Sequence, residues 1–148
     1  MSDYLLSIIV YGRGDDPNHR SHWAFAIHRP GSELCSLYHV YLIGEGLIYQ
    51  FEERSGQPLE SQSSEGYFLV GHIKASNYTR TKQILSQEPA PRNGRDRCQD
   101  WAMNCIIELE TEELVEDGTS ELISKLIGKN LEQLKAIVQD RWTGVQRR

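Results

Sequence analysis

No stretch of this 148-residue chain stays apolar for the roughly 20 residues a membrane-spanning helix needs. The apolar segment at residues 4–11 follows Asp3 and lacks a basic leader or a cleavage pattern, so it reads as a strand and not as a signal peptide. Integral membrane association is not expected. Positive charge is also scarce: 16 Lys and Arg face 21 Asp and Glu, for a net charge of -5. Nucleic-acid surfaces are normally basic, and here the aromatic residues do not interleave with a basic patch. No nucleic-acid partner is expected, and the Arg147-Arg148 end reads as a solvated tail. Cysteine is limited to Cys35, Cys98 and Cys105, which cannot all pair within one chain and are not spaced as a zinc site. A reducing, cytoplasmic setting follows, in which a free thiol can do chemistry. Gly12-Arg13-Gly14 is too short for a phosphate-binding loop and no helix follows it, so neither a cofactor nor a metal is expected.

What the chain does contain is enough apolar material for one core, at 39% hydrophobic and 25% charged residues. Strand-like segments come first. Residues 4–11 and 22–28 are rich in β-branched and aromatic side chains, with a cluster of turn residues at 12–18 between them. In the second segment, Trp23, Phe25 and Ile27 alternate with His22, Ala24, Ala26 and His28, so His22 lies on a face of small side chains. Residues 37–43 and 47–51 form a further pair about a Gly44-Glu45-Gly46 turn, and residues 67–73 a fifth strand. The polar span 53–65 reads as a loop.

Helical periodicity then takes over at 79–87, 97–109, 120–127 and 131–142. Strands first and helices after them imply an α+β domain spanning residues 1–148, an antiparallel sheet of about five strands with helices on one side. The core is expected within about residues 4–128, with a C-terminal helix at 129–142 and the basic tail beyond it.

Within the helix at 97–109, Cys98, Trp101, Ala102, Cys105, Ile106 and Leu109 share one face. Cys98 sits in the first turn, where free N–H groups and the helix dipole favour a thiolate, and Arg95 and Arg97 flank it. It reads either as a nucleophile or as a small buried hydrophobe. Cys105, two turns on, reads as core, and Cys35 as an incidental residue of a surface turn. Asp100 points away from the cysteine and supports the helix dipole. His22 opens its strand beside a long glycine-containing loop, a position suited to a general base. His39, on the neighbouring strand, could accept the other N–H of His22 and fix its tautomer. The alternative for each is a packed, hydrogen-bonded histidine. His28 and His72 are weaker candidates, and His19 reads as solvated.

These segments carry a family resemblance. His22-Trp23-Ala24-Phe25-Ala26-Ile27, then Tyr38-His39-Val40, then Arg97-Cys98-Gln99-Asp100-Trp101-Ala102 resemble the permuted papain-like superfamily. Its members include the NlpC/P60 relatives, the lecithin:retinol acyltransferase-like enzymes and the PPPDE peptidases. The chain is most similar to small fungal proteins of largely uncharacterised function, over roughly residues 20 to 115, with Val70-Gly71-His72-Ile73 as a further shared segment. The resemblance implies a Cys98 nucleophile, a His22 base and His39 as an orienting third member. It implies a cysteine-dependent hydrolase or acyltransferase acting on an amide, thioester or ester carbonyl of a small-molecule or peptide substrate. A place in fungal natural-product biosynthesis also follows from it. Arg97 departs from the asparagine usual before the cysteine in the acyltransferase-like enzymes, and the interval from His22 to His39 is longer than theirs. The alternative is a non-catalytic ligand- or partner-binding protein that retains the fold. Oligomeric state is left open.

Overall fold

The computed structural model describes residues 3–44 and 48–146. Glu45 and Gly46 of the expected turn, Leu47 after them, and the Arg147-Arg148 tail lie outside the described residues. The chain forms β1 (Tyr4–Tyr11), β2 (His22–His28), β3 (Leu34–Ile43), β4 (Ile48–Pro58) and β5 (Gly66–Ile73) before its first α-helix. Helices α1 (Tyr78–Gln87), α2 (Cys98–Thr111), α3 (Thr119–Ser124) and α4 (Leu131–Val138) follow, and a short β6 (Trp142–Gly144) ends the fold. The strands make one antiparallel sheet in the order β4-β3-β2-β1-β5-β6, so the protein is α+β. Among the described residues no helix is long and apolar enough to cross a membrane.

Alternation along the strands divides the core in two. On one face, Ile8, Trp23, Phe25, Tyr38, Val40 and Phe68 pack against Trp101, Cys105 and Leu109 of α2. All four helices contribute to this layer, through Leu85, Ile106, Ile123 and Leu134 among others. Each fully buried large side chain here contributes about 1.5–3 kcal/mol. On the other face a smaller cluster forms around Ile9, Ala24, Ala26 and Leu37, with Leu59 folded over it from the loop after β4. The small side chains beside His22 thus admit the close approach their size suggests.

Several expectations are corrected. Among the described residues the sheet has six strands, against about five expected, because the last helical segment ends at Val138 and not at Trp142. Gln139 takes a left-handed φ of 52°, which turns the chain back so that Trp142, Thr143 and Gly144 pair with β5. A Cβ on Gly66 would stand 2.4 Å from the Thr143 carbonyl oxygen, so this pairing requires glycine. The core also extends past residue 128, since Leu131, Leu134 and Val138 of α4 belong to it. The span read as a polar loop from residue 53 is strand as far as Pro58. Gly56, with φ of 62°, and a register shift between Cys35 and Leu37 absorb the irregularity that made it look like a loop. Cys35 is consequently buried in β3 and not exposed in a turn, and burial pushes its thiol up to about 11.

Candidate active site

The site begins where two strands part. β1 and β2 pair along the whole of β2, from Leu5 with His28 to Tyr11 with His22. β2 and β3 pair only through Phe25 with Tyr38, Ala26 with Leu37 and Ile27 with Ser36. The first residues of β2 therefore lack β3 as a partner, and backbone polar groups there need others. The start of α2 supplies them. Gln99 Nε2 donates to the Ser21 carbonyl at 3.0 Å, and Gln99 Oε1 accepts from Gly128 N–H at 2.8 Å. This fully buried amide ties the helix start both to Ser21, the residue before β2, and to the turn between α3 and α4. Ser21 is held from behind by its hydroxyl, which donates to the Gly12 carbonyl at 2.7 Å. Gly14 lies against it so closely that a Cβ there would come within 2.8 Å of Ser21 Oγ.

These contacts bring Cys98 beside the backbone of residues 21–23. Its sulfur is 4.0 Å from the Ser21 carbonyl oxygen, and the N–H groups of Trp23, Gln99 and Cys98 itself interact with it. The Asp100 carboxylate accepts from Arg97 N–H at 2.8 Å and completes the first turn, the supporting part expected of it. Two opposing influences act on the thiol's acidity. Cys98 is only 8% exposed, and burial raises its pKa more than the three N–H groups lower it. The two flanking arginines do not reverse this. Arg95 is turned to solvent beside Asp96, while Arg97 donates to the Asn18 carbonyl at 3.2 Å.

His22, His39 and a third residue form a line. His22 Nε2 lies 2.8 Å from His39 Nδ1, and His39 Nε2 lies 2.8 Å from Glu52 Oε1. Burial, and secondarily the neighbouring His39, lower the pKa of His22 to about 4, so it is neutral at ordinary pH. Glu52 was not singled out by sequence. Its signal is register: Ile43 pairs with Ile48, and counting back along the hairpin sets His39 directly opposite Glu52 on the same face.

The parted strands, β4 and the α2 start enclose a cleft of about 630 Å³, bordered by His22, His39, Tyr41, Tyr49, Arg97 and Cys98. The structure thus brings all three expected site residues to one cavity. Among the described residues, no hydrogen bond joins Cys98 to His22. The imidazole pair also borders a smaller cavity of about 250 Å³ with Tyr11 and Arg54, away from the sulfur. Elsewhere, Cys105 is fully buried core, His19 is exposed and paired with Asp16, His72 is exposed, and His28 is buried against Ser7. Among the described residues no group of His, Cys, Asp and Glu is arranged to hold a metal ion.

No curated protein and no solved structure matches this chain. Residues 6–116 match the model of a family of unknown function, DUF6540, a span that holds His22, His39, Glu52 and Cys98, and the chain belongs to that family.

Proposed function

We propose that this protein is a cysteine-dependent hydrolase or acyltransferase of permuted papain-like type, acting on an amide, thioester or ester carbonyl. The observation that carries the reading is the shared cleft. A cysteine at a helix start and a hydrogen-bonded imidazole pair from two parted strands border the same 630 Å³. A strand histidine preceding a helix cysteine is the order of the permuted enzymes.

The mechanism starts from neutral partners, because burial holds Cys98 as a thiol and His22 as an imidazole. As the sulfur attacks the substrate carbonyl carbon, its proton passes to His22 and the carbonyl electron pair moves onto oxygen. Backbone N–H groups at the α2 start are the donors for that oxyanion. Collapse expels the leaving group, which takes the proton from His22 and leaves a thioester on Cys98. Water or a second nucleophile, deprotonated by His22, then releases the acyl group and restores the thiol. His39 orients His22 through the 2.8 Å bond. Tyr41, Leu42 and Tyr49 give the cleft apolar walls suited to the body of an acyl group.

A second reading, ligand binding without turnover, draws support from the protonated thiol and from the missing Cys98–His22 bond. Catalytic hydrogen bonds are commonly loose before substrate arrives, so this geometry is compatible with both. The test is hydrolysis of a p-nitrophenyl ester and of an acyl thioester. Wild type is expected to turn over at least one above the buffer rate. Cys98→Ala should abolish it, and His22→Ala should slow it by roughly 10²–10⁴-fold. Turnover that survives Cys98→Ala contradicts the proposal, and saturable ligand binding with no turnover selects the second reading.

A further inference from the structure

A neutral imidazole carries one N–H and one bare nitrogen, so a row of hydrogen-bonded imidazoles has a direction. The pair His22 Nε2 and His39 Nδ1, 2.8 Å apart, is satisfied by either direction. If His39 donates, His22 must hold its own proton on Nδ1 and has no free lone pair with which to act as a base. If His22 donates, its Nδ1 is bare.

What breaks the tie is Glu52. A carboxylate oxygen accepts, so the 2.8 Å contact with Glu52 Oε1 places the proton of His39 on Nε2. His39 Nδ1 is then a bare acceptor, His22 Nε2 donates into it, and His22 Nδ1 is left with a lone pair. Glu52 borders neither the cleft that holds the sulfur nor the smaller cavity behind the imidazoles, so it reaches the chemistry only through His39. It is held in place by direct cross-strand pairing with His39.

We propose that Glu52 is a positioning residue that sets the direction of the His22–His39 pair and so leaves His22 Nδ1 unprotonated, as a base requires. The role rests on reading His22 as the base, but the proton positions can be observed without any turnover.

The test is long-range ¹H–¹⁵N correlation NMR of the imidazoles in the full chain at about pH 8, where histidines of ordinary pKa are neutral. His22 and His39 are both expected to show protonated Nε2 and bare Nδ1. In Glu52→Ala, His22 is expected to shift at least partly to the Nδ1-protonated form, and any acyl turnover to fall by at least about tenfold. Glu52 side chain is 39% exposed on an edge strand, so this variant leaves the buried layers intact. Wild-type His22 protonated on Nδ1, or His39 carrying both protons, overturns the assignment. So does an unchanged His22 signature in Glu52→Ala. If the proton positions are as assigned but wild type turns over no acyl substrate, the assignment stands and the catalytic reading falls instead.

Discussion

His22 and His28 open and close β2 on the same face of the sheet, and each has its Nε2 bonded to a neighbouring side chain. His22 meets His39 at 2.8 Å, and His28 meets Ser7 Oγ at 3.0 Å. Burial lowers the pKa of both. The difference lies in the sheet around them. At the His28 end, Ser7 pairs across to Ala26 on one side and Leu69 on the other, so its backbone is taken up in two ladders. That pair also borders a cavity, of about 440 Å³, but neither Cys98 nor any other residue of α2 lines it. At the His22 end β3 has left the ladder, and α2 fills the gap with Cys98 and its backbone donors. His28 meets a serine whose strand is locked into two ladders; His22 stands beside an opened sheet, where there is room for a reaction.

The comparison can be broken most directly through turnover. His22→Ala should cost roughly 10²–10⁴-fold in acyl hydrolysis, whereas His28→Ala should leave the rate unchanged. Equal losses would mean that β2 as a whole, and not its open end, supports the activity. Next in size is the clamp that keeps the strands apart. Gln99→Leu takes the amide donor from the buried Ser21 carbonyl, at roughly 1–3 kcal/mol, and the amide acceptor from Gly128 N–H, which lies in an exposed turn. Urea unfolding should show the loss, while the corresponding change at exposed Gln87 should show none.

The third prediction concerns pH. His22 titrates near 4 when folded and near 6.5 when unfolded, so below 6.5 the unfolded chain binds the extra proton. Its contribution, roughly 3 kcal/mol, is complete above pH 6.5 and is lost as pH falls toward 4. His28 acts in the same direction. Urea midpoints measured between about pH 4.5 and 6.5, above the range where most carboxylates titrate, should fall with acidity. His22→Gln should flatten that slope in part and the His22→Gln, His28→Gln pair should flatten it further. The smallest effect is His28→Ala on stability alone, about 1–3 kcal/mol, from the buried Ser7 hydroxyl left unpartnered.

Much of this layout is legible in the sequence because it depends on local periodicity. The alternation that places Trp23 and Phe25 opposite His22 and Ala24 reappears as the two faces of the sheet. The face shared by Trp101, Cys105 and Leu109 is the face of α2 that is buried. What local pattern could not reveal was set by pairing at a distance. Glu52 looks like the start of an acidic loop until the hairpin register places it opposite His39. Cys35 looks exposed until β4 is extended through Gly56 to cover it. Trp142 fits a helical pattern, yet Gln139 turns the chain and Gly66 makes space for Thr143. The acidity of Cys98 is not legible in the sequence for a related reason. Helix position is visible in sequence, but the depth of burial that outweighs it depends on the whole fold.

The most direct measurement is intact-mass spectrometry after brief exposure to an activated acyl ester, followed by peptide mapping. One acyl group should be found on Cys98 in wild type, with Cys35 and Cys105 unmodified, and its formation should be slowed by His22→Ala. No adduct on Cys98, or one that forms as fast without the His22 imidazole, would contradict the account.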